Sequence, residues 1–188
     1  KVVVEKFKEK YPQFLVLDNA TNPFVNNKYK TAQIFDEAGL QAFKPSWKVY
    51  KKEYTPELAL DIMHYFAGAK AFVLKPLNGA NGWGVLIVDK HDLDKTLKTI
   101  FTDKNKLREF TDKSYSYWYK DNNREFLVEE YVPSRTIKLR GQPFDATMRV
   151  VFTLDYEPDN INITFLGGYW KLPRLALNES GSLTERHK

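Results

Sequence analysis

The stretch VLKPLNGANGWGVLIV, residues 73–88, sets three glycines and two asparagines between two apolar runs, with Lys75 just before the break. Successive backbone N–H groups in such a loop form a concavity that accepts an anion, and glycine lets the main chain approach it closely. Lys75 adds a compact positive charge at the strand end. The chemistry this suits is the holding of phosphate groups, and an ordinary hairpin tip with a surface lysine remains the other account of the same residues. Two phosphate loops are excluded. A Walker A loop has Lys-Ser/Thr directly after its last glycine and opens a helix, whereas Gly84 is followed by Val-Leu-Ile-Val. A dinucleotide fingerprint is spaced G-x-G-x-x-G and also opens a helix, whereas this loop reads Gly79-x-x-Gly82-x-Gly84.

The elements around the loop follow from periodicity. AFVLK and GVLIVD are branched, apolar and too short for helices, which predicts a strand, loop, strand hairpin. Ahead of it, KYKTAQIFDEAGL (28–40) predicts a helix with Ala32, Phe35 and Ala38 on one face and Gly39 at C′. TPELALDIMHYFAGAK (55–70) predicts a second, with Thr55 as N-cap, Pro56 at the first helical position, and Leu58, Ile62 and Tyr65 at helical spacing. His64 within it reads as a packed or surface residue. HDLDKTLKTIF (91–101) predicts a third, striped by Leu93, Leu97 and Ile100. QFLVLDN (13–19) and EFLVEEYV (125–132) read as strands, the latter stopped by Pro133. The lysine-rich segment 102–124 carries Tyr115, Tyr117, Trp118 and Tyr119; it reads as a surface excursion with a few packed rings, with base stacking as the alternative.

The clearest alternation lies near the end. Ala146, Met148, Val150, Phe152 and Leu154 form one strand face, and Asp145, Thr147, Arg149 and Thr153 the other. The turn YEPDN leads into INITFL, where Ile161, Ile163 and Phe165 alternate with Asn162 and Thr164, so the two segments predict an antiparallel hairpin.

Composition narrows the function classes. The chain has 188 residues and is 43% hydrophobic, enough for one domain or two small lobes sharing a cleft. It has no run long enough to cross a bilayer, no secretory h-region and no basic amphipathic leader, so an intracellular, cytoplasmic setting is expected. The absence of cysteine excludes disulfides, thiolate zinc sites and a cysteine nucleophile. His64, His91 and His187 show no metal-ligand spacing, so any metal is expected to be Mg²⁺ on oxygen ligands. The net charge of +5 and pI near 9.1 come from dispersed lysines, which suits an anionic small ligand, nucleic acid or simply a basic solvated surface. A start at Lys1 and an end at SLTERHK without a closing signal suggest a piece of a longer protein.

Taken in order, Asn27-Lys28-Tyr29-Lys30-Thr31 at a helix start, Lys75-Pro76 before the glycine loop, and Glu129-Glu130-Tyr131-Val132 on the later strand resemble the ATP-grasp superfamily, which reads DKxxT, xxKP, GxxGxG and vEEyv in that sequence. The resemblance covers residues 25 to at least 171. It implies an α+β fold of two lobes, each an antiparallel sheet backed by helices, with a nucleotide cleft between them and the C-terminal part truncated. Residues 1–20 would be the tail of a preceding domain, 21–131 the first lobe with its glycine-rich flap, and 132–188 the incomplete second lobe. Lys28 and Lys75 would contact the α- and β-phosphates of ATP, with Gly79, Gly82 and Gly84 shaping the flap over the β- and γ-phosphates. Glu129, Glu130 and Val132 would form the hinge, whose backbone bonds the adenine edge. Trp83 departs from the pattern, which has a smaller residue there.

In enzymes similar to the ribosomal-protein glutamate ligase and the tubulin tyrosine ligases, a D-x-R strand faces the transferred phosphate. Here the spacing is longer: Arg149 matches more firmly than Asp145. Lys171 resembles the basic residue of the next strand, with Arg174 as a second candidate; Gly167-Gly168 predicts a bulge, because simple alternation would turn Lys171 to the apolar side. The Mg²⁺ ligands of the superfamily belong to a later D…E-x-N region absent from this sequence, so the metal-binding residues are unknown, and Glu179 and Glu185 are poor substitutes. The implied reaction is ATP-dependent ligation: a carboxylate attacks the γ-phosphate, and an amine or similar nucleophile displaces phosphate from the acyl phosphate. The cations would offset charge spreading over the phosphoryl oxygens. A small-molecule kinase and a nucleotide-binding domain without catalysis are the alternatives within the fold. Nucleic acid is an unlikely partner by this reading, no membrane partner is expected, and oligomeric state is open.

Overall fold

The computed structural model describes residues 6, 9–10, 24, 26–79, 82–103, 105–110, 112–157 and 160–187. The chain divides into two compact units, Lys1–Tyr131 and Val132–Lys188. The strand expected over 13–19 lies outside the described residues.

The first unit runs α1 (Lys28–Glu37), β1 (Trp47–Lys51), α2 (Leu58–Tyr65), β2 (Ala71–Pro76), β3 (Leu86–Asp89), α3 (Leu93–Thr102), α4 (Lys113–Lys120) and β4 (Glu125–Glu130). Helix α1 starts where Asn27, in an extended conformation, accepts a bond from the Lys30 N–H through its side chain. It ends in a Schellman motif: Leu40 N–H reaches Phe35 C=O at 2.8 Å and Gly39 N–H reaches Asp36 C=O at 3.1 Å, with Gly39 at φ 72°. Helix α3 buries the expected Leu93, Leu97 and Ile100. Helix α2 begins at Leu58, later than expected, because the Thr55 carbonyl closes a turn onto the Leu58 N–H and the Thr55 hydroxyl caps nothing. Of the residues at helical spacing, Leu58 and Ile62 are buried and Tyr65 is exposed.

The sheet order is β1-β4-β2-β3, with every adjacent pair antiparallel, and the expected hairpin is present as Ala71–Pro76 against Leu86–Asp89. Register sorts the two faces, because side chains alternate along a strand. Tyr50, Phe72, Leu74, Leu86, Val88, Phe126 and Val128 point one way and pack with Ile62, Leu97, Ile100, Leu107 and Trp118 into the core. The other face carries Trp47, Val73, Lys75, Leu127 and Glu129. Helix α1 lies against this second face: the Tyr29 ring stands edge-on to Trp47 at 5.6 Å, and Trp47 Nε1 donates to Asp36 Oδ2 at 3.0 Å.

The second unit contains β5 (Thr136–Leu139), β6 (Gln142–Asp145), β7 (Thr147–Glu157), β8 (Asn160–Lys171) and α5 (Leu183–His187). Strands β5 and β6 form a tight hairpin through Arg140 and Gly141, both at positive φ as a type I′ turn requires. Strands β7 and β8 form a long two-stranded ribbon. The expected bulge is there: Val151 pairs with Gly167 and Phe152 with Phe165, which leaves Leu166 as the extra residue.

Two expectations for this unit change. Asp145 and Arg149 do not share a strand, since β6 ends at Asp145 and β7 starts at Thr147 on the far side of the fully buried Ala146. The apolar ribbon face was expected to pack on helices; its large side chains, among them Met148, Phe152, Ile163 and Phe165, are 40–68% exposed. The short α5 does not cover it, because it is fastened to β6 through His187 and Asp145. That helix begins with a capping box: Ser182 Oγ accepts from Glu185 N–H at 3.2 Å, and Glu185 Oε2 accepts from Ser182 N–H at 3.0 Å. No helix among the described residues is long and apolar enough to cross a membrane.

Candidate functional site

Strand β2 and helix α1 bring two of the expected lysines together. Lys75 lies on the α1-facing side of the sheet, and its ammonium is ion-paired with the Glu129 carboxylate, two residues along from its direct partner Leu127 on β4. Lys28, in the first turn of α1, sends its Nζ to the Gly79 carbonyl at 2.9 Å. Lys28, Lys75 and Glu129 line one groove of about 340 Å³, with Thr31, Phe35 and Pro45 among its other walls. Burial, followed by the neighbouring Lys75 ammonium, lowers the Lys28 pKa to about 8, against the opposing pull of Asp121 and Glu129.

That shift sets a pH dependence. Between about pH 8 and the ordinary lysine range, unfolded Lys28 holds a proton that the folded residue has released. The unfolded state then binds more protons, so the Lys28 contribution to stability rises with pH in that window and is flat below it. Urea unfolding of the wild type and Lys28→Met across pH 7 to 10 should give curves that run parallel below about pH 8 and diverge above it; parallel curves throughout would remove the shift.

The glycine loop sits directly beside these ammonium groups. Gly79, Gly82 and Gly84 have φ of 115°, 71° and 72°, so all three adopt the backbone region that disfavours side chains. The loop base is fixed at several points. Lys28 N–H donates to the Leu77 carbonyl at 2.8 Å, Asn27 Nδ2 to Asn78 Oδ1 at 3.1 Å, and Asn78 Nδ2 to Asn123 Oδ1 at 3.1 Å. Asn123 in turn bonds Asp121, which is ion-paired with the half-buried Lys52. Behind the loop, Trp118 Nε1 donates to the Gly84 carbonyl at 2.8 Å. Trp83 is largely exposed and lies 6.4 Å from the Tyr117 ring.

The residues expected at a hinge fall on both sides of the boundary between Tyr131 and Val132. Glu130 N–H is taken by the Ser46 carbonyl at 3.1 Å and Tyr131 N–H by the Ala71 carbonyl at 3.0 Å, while Val132 opens the second unit and is exposed. In that unit Arg149 pairs with Tyr169 and Thr147 with Lys171, so the bulge puts Arg149 and Lys171 on one ribbon face as diagonal neighbours. Asp145 is buried instead, accepting from Ser134 N–H at 2.9 Å and from the Ser134 hydroxyl, with His187 Nδ1 against its other oxygen. Arg174 is exposed on the segment after β8.

Among the described residues no group of three His, Asp or Glu side chains could hold a metal ion. Glu179 and Glu185 are spent locally, on Ala176 N–H and on Ser182. Two larger grooves in the first unit, of about 800 and 520 Å³, contain neither Lys28 nor Lys75.

Sequence reasoning missed α4, Tyr117, Asn123 and Asp121 as supports of the loop. The two asparagines at positions 27 and 78 were visible, but their pairing was not.

No family model matches the chain, and no curated protein matches it. Two solved structures are similar to it. D-alanyl-alanine synthetase A from Vibrio cholerae O1 biovar eltor is 11% identical, with a TM-score of 0.40 over 73% of this chain and 40% of that one. D-Alanine-D-alanine ligase from Helicobacter pylori is 13% identical, with a TM-score of 0.37 over 85% of this chain and 38% of that one. The chain thus spans about two fifths of the length of each.

Proposed function

We propose that this chain carries the nucleotide-binding part of an ATP-dependent ligase of the ATP-grasp type, one that joins a carboxylate to an amine through an acyl phosphate. The observation that carries the reading is the pair of ammonium groups, Lys28 and Lys75, sharing a groove beside a loop whose three glycines all have positive φ. Cations and backbone N–H groups of this kind suit a polyphosphate. Lys28 and Lys75 take the α- and β-phosphates, and the backbone around Gly79, Gly82 and Gly84 approaches the distal phosphates. Glu129, Glu130 and Val132 are assigned to the adenine edge. Arg149 and Lys171 are assigned to the transferred phosphoryl group, where positive charge offsets the negative charge that spreads over its oxygens. Their common ribbon face supports this pairing. Asp145 is the weakest of the assignments, because both its oxygens are engaged within its own unit.

ATP enters such reactions as its magnesium complex. The described residues do not fit a metal cage, so no step is assigned here to a protein-bound ion.

The test is calorimetric titration of the full-length protein with Mg-ATP and Mg-ADP, followed by phosphate release with panels of carboxylates and amines. Saturable binding of both nucleotides, and phosphate release only when acid and amine are present together, is the expected result. A stable phosphorylated product without amine would assign the groove to a kinase. No nucleotide binding at millimolar concentration would sink the reading.

A further inference from the structure

We infer that Tyr117 is a positioning residue for the glycine loop: it gathers both arms of the loop onto α4 and so sets where the loop backbone stands relative to Lys28 and Lys75. The inference deepens the nucleotide reading and, as regards ATP, rests on it.

On the first arm, the Tyr117 hydroxyl donates to the Asn78 carbonyl at 3.2 Å. A Cβ built on Gly79 would stand 2.6 Å from that hydroxyl oxygen and 3.2 Å from the ring carbon bearing it. On the second arm, a Cβ built on Gly84 would stand 2.7 Å from Tyr117 Cδ1 and 2.5 Å from Pro76 Cγ, and the Trp83 ring tilts over Tyr117 at 6.4 Å. Two glycines that an anion-binding loop would be expected to need for its ligand are therefore also needed for this ring. The next residue on the helix completes the seat, since Trp118 Nε1 holds the Gly84 carbonyl.

The chemical consequence concerns the main chain. Lys28 Nζ spends a bond on the Gly79 carbonyl, one residue from the carbonyl that Tyr117 holds. If the tyrosine fixes this arm, it also fixes the height of the Lys28 ammonium, and a polyphosphate meets donors already in place instead of ordering them on arrival. Preorganisation of this kind lowers the entropic cost of binding. Tyr117 would never touch the ligand; it would act through backbone.

The experiment is amide hydrogen exchange on the nucleotide-free full-length protein, for the wild type, Tyr117→Phe and Tyr117→Ala, with Mg-ATP titrations alongside. For Tyr117→Ala, exchange at Gly79 and Gly82–Val85 should rise at least tenfold while β2, β4 and α3 keep their protection, and Mg-ATP affinity should fall about tenfold. Tyr117→Phe keeps the ring and loses the bond to Asn78, so exchange at Gly82–Val85 should stay within about threefold of wild type while exchange at Gly79 rises and affinity falls by less than in Tyr117→Ala. Unchanged loop exchange in Tyr117→Ala overturns the inference, even if the wild type binds Mg-ATP. Faster loop exchange in a protein that never binds nucleotide sustains the seat and overturns the ATP reading alone. Should Tyr117→Ala lose protection throughout, Gly79→Ala decides in its place. Its damage to loop protection should shrink at least threefold in the Tyr117→Phe background, because the backbone strain at Gly79 is common to both and cancels in the cycle. Equal damage in both backgrounds overturns the inference.

Discussion

Trp118→Ala should destabilise the first unit by about 3–5 kcal/mol, the usual cost of emptying a large aromatic site in a core. The indole is fully buried, stands edge-on to Phe101 and Phe126 with centroids 5.9 Å away in each case, and has the Lys52 ammonium 5.6 Å from its ring. Removing it leaves the Gly84 carbonyl without its Nε1 donor, and an unmet buried acceptor adds to the cavity cost. Urea unfolding followed by far-UV circular dichroism measures the effect. Trp118→Phe should recover part of the packing without the hydrogen bond. A loss below about 1 kcal/mol for the alanine variant would be too small for a core aromatic and would place this residue at the surface.

Lys75→Ala should abolish most of the stabilisation that Mg-ATP gives the full-length protein. A ligand present at a hundredfold over its dissociation constant stabilises the native state by about 2.7 kcal/mol. One charge-assisted hydrogen bond is worth about 1.5–3 kcal/mol, so losing the contact proposed for Lys75 should weaken binding by about 10- to 100-fold. The substitution also strands Glu129, whose carboxylate is largely buried, so the variant starts from a lower melting temperature. The measurement is therefore the shift on adding nucleotide, taken for each protein against its own baseline. Lys28 tempers the loss. With the neighbouring charge gone, one cause of its lowered pKa disappears, and it stays protonated to higher pH. Equal nucleotide shifts in wild type and Lys75→Ala would remove Lys75 from the site.

What the sequence revealed depends on whether an element is shaped locally. Helix α1 was legible from its apolar spacing and from Gly39 at its end, all within a single stretch of chain, whereas the Asn27 cap emerges only from the structure. The hairpin around the glycines was legible because both its strands are short, apolar and branched. The bulge in the long ribbon could be anticipated because the chemistry of Lys171 conflicted with simple alternation, and the structure resolves that conflict at Leu166. Helix α4 was missed because KSYSYWYK buries only Ser114 and Trp118, and one buried ring makes no stripe. Besides the neighbouring Arg108 and Phe110, its rings meet Phe101, Phe126 and the loop, a set of partners that no single stretch of chain contains. Helix α5 is a different kind of miss: Ser182 and Glu185 stand at capping-box spacing, a signal that was present and not used. The network of Asp145 with Ser134 and His187 spans 53 residues and left no local trace. Likewise, the pairing of Lys75 with Glu129 needs the β2–β4 register, which no stretch of sequence contains.

The ribbon's extra residue has a consequence for how such a strand pair can change. Because Leu166 shifts the count by one, every side chain from Gly167 to Lys171 sits on the side it would otherwise oppose. Cutting out that one leucine would leave Tyr169 opposite Arg149 and Lys171 opposite Thr147, whereas drawing it into the ladder would send Lys171 to join Phe165 and bring Trp170 beside Arg149. A slip of one residue in register there therefore changes more chemistry than any single substitution in the same stretch.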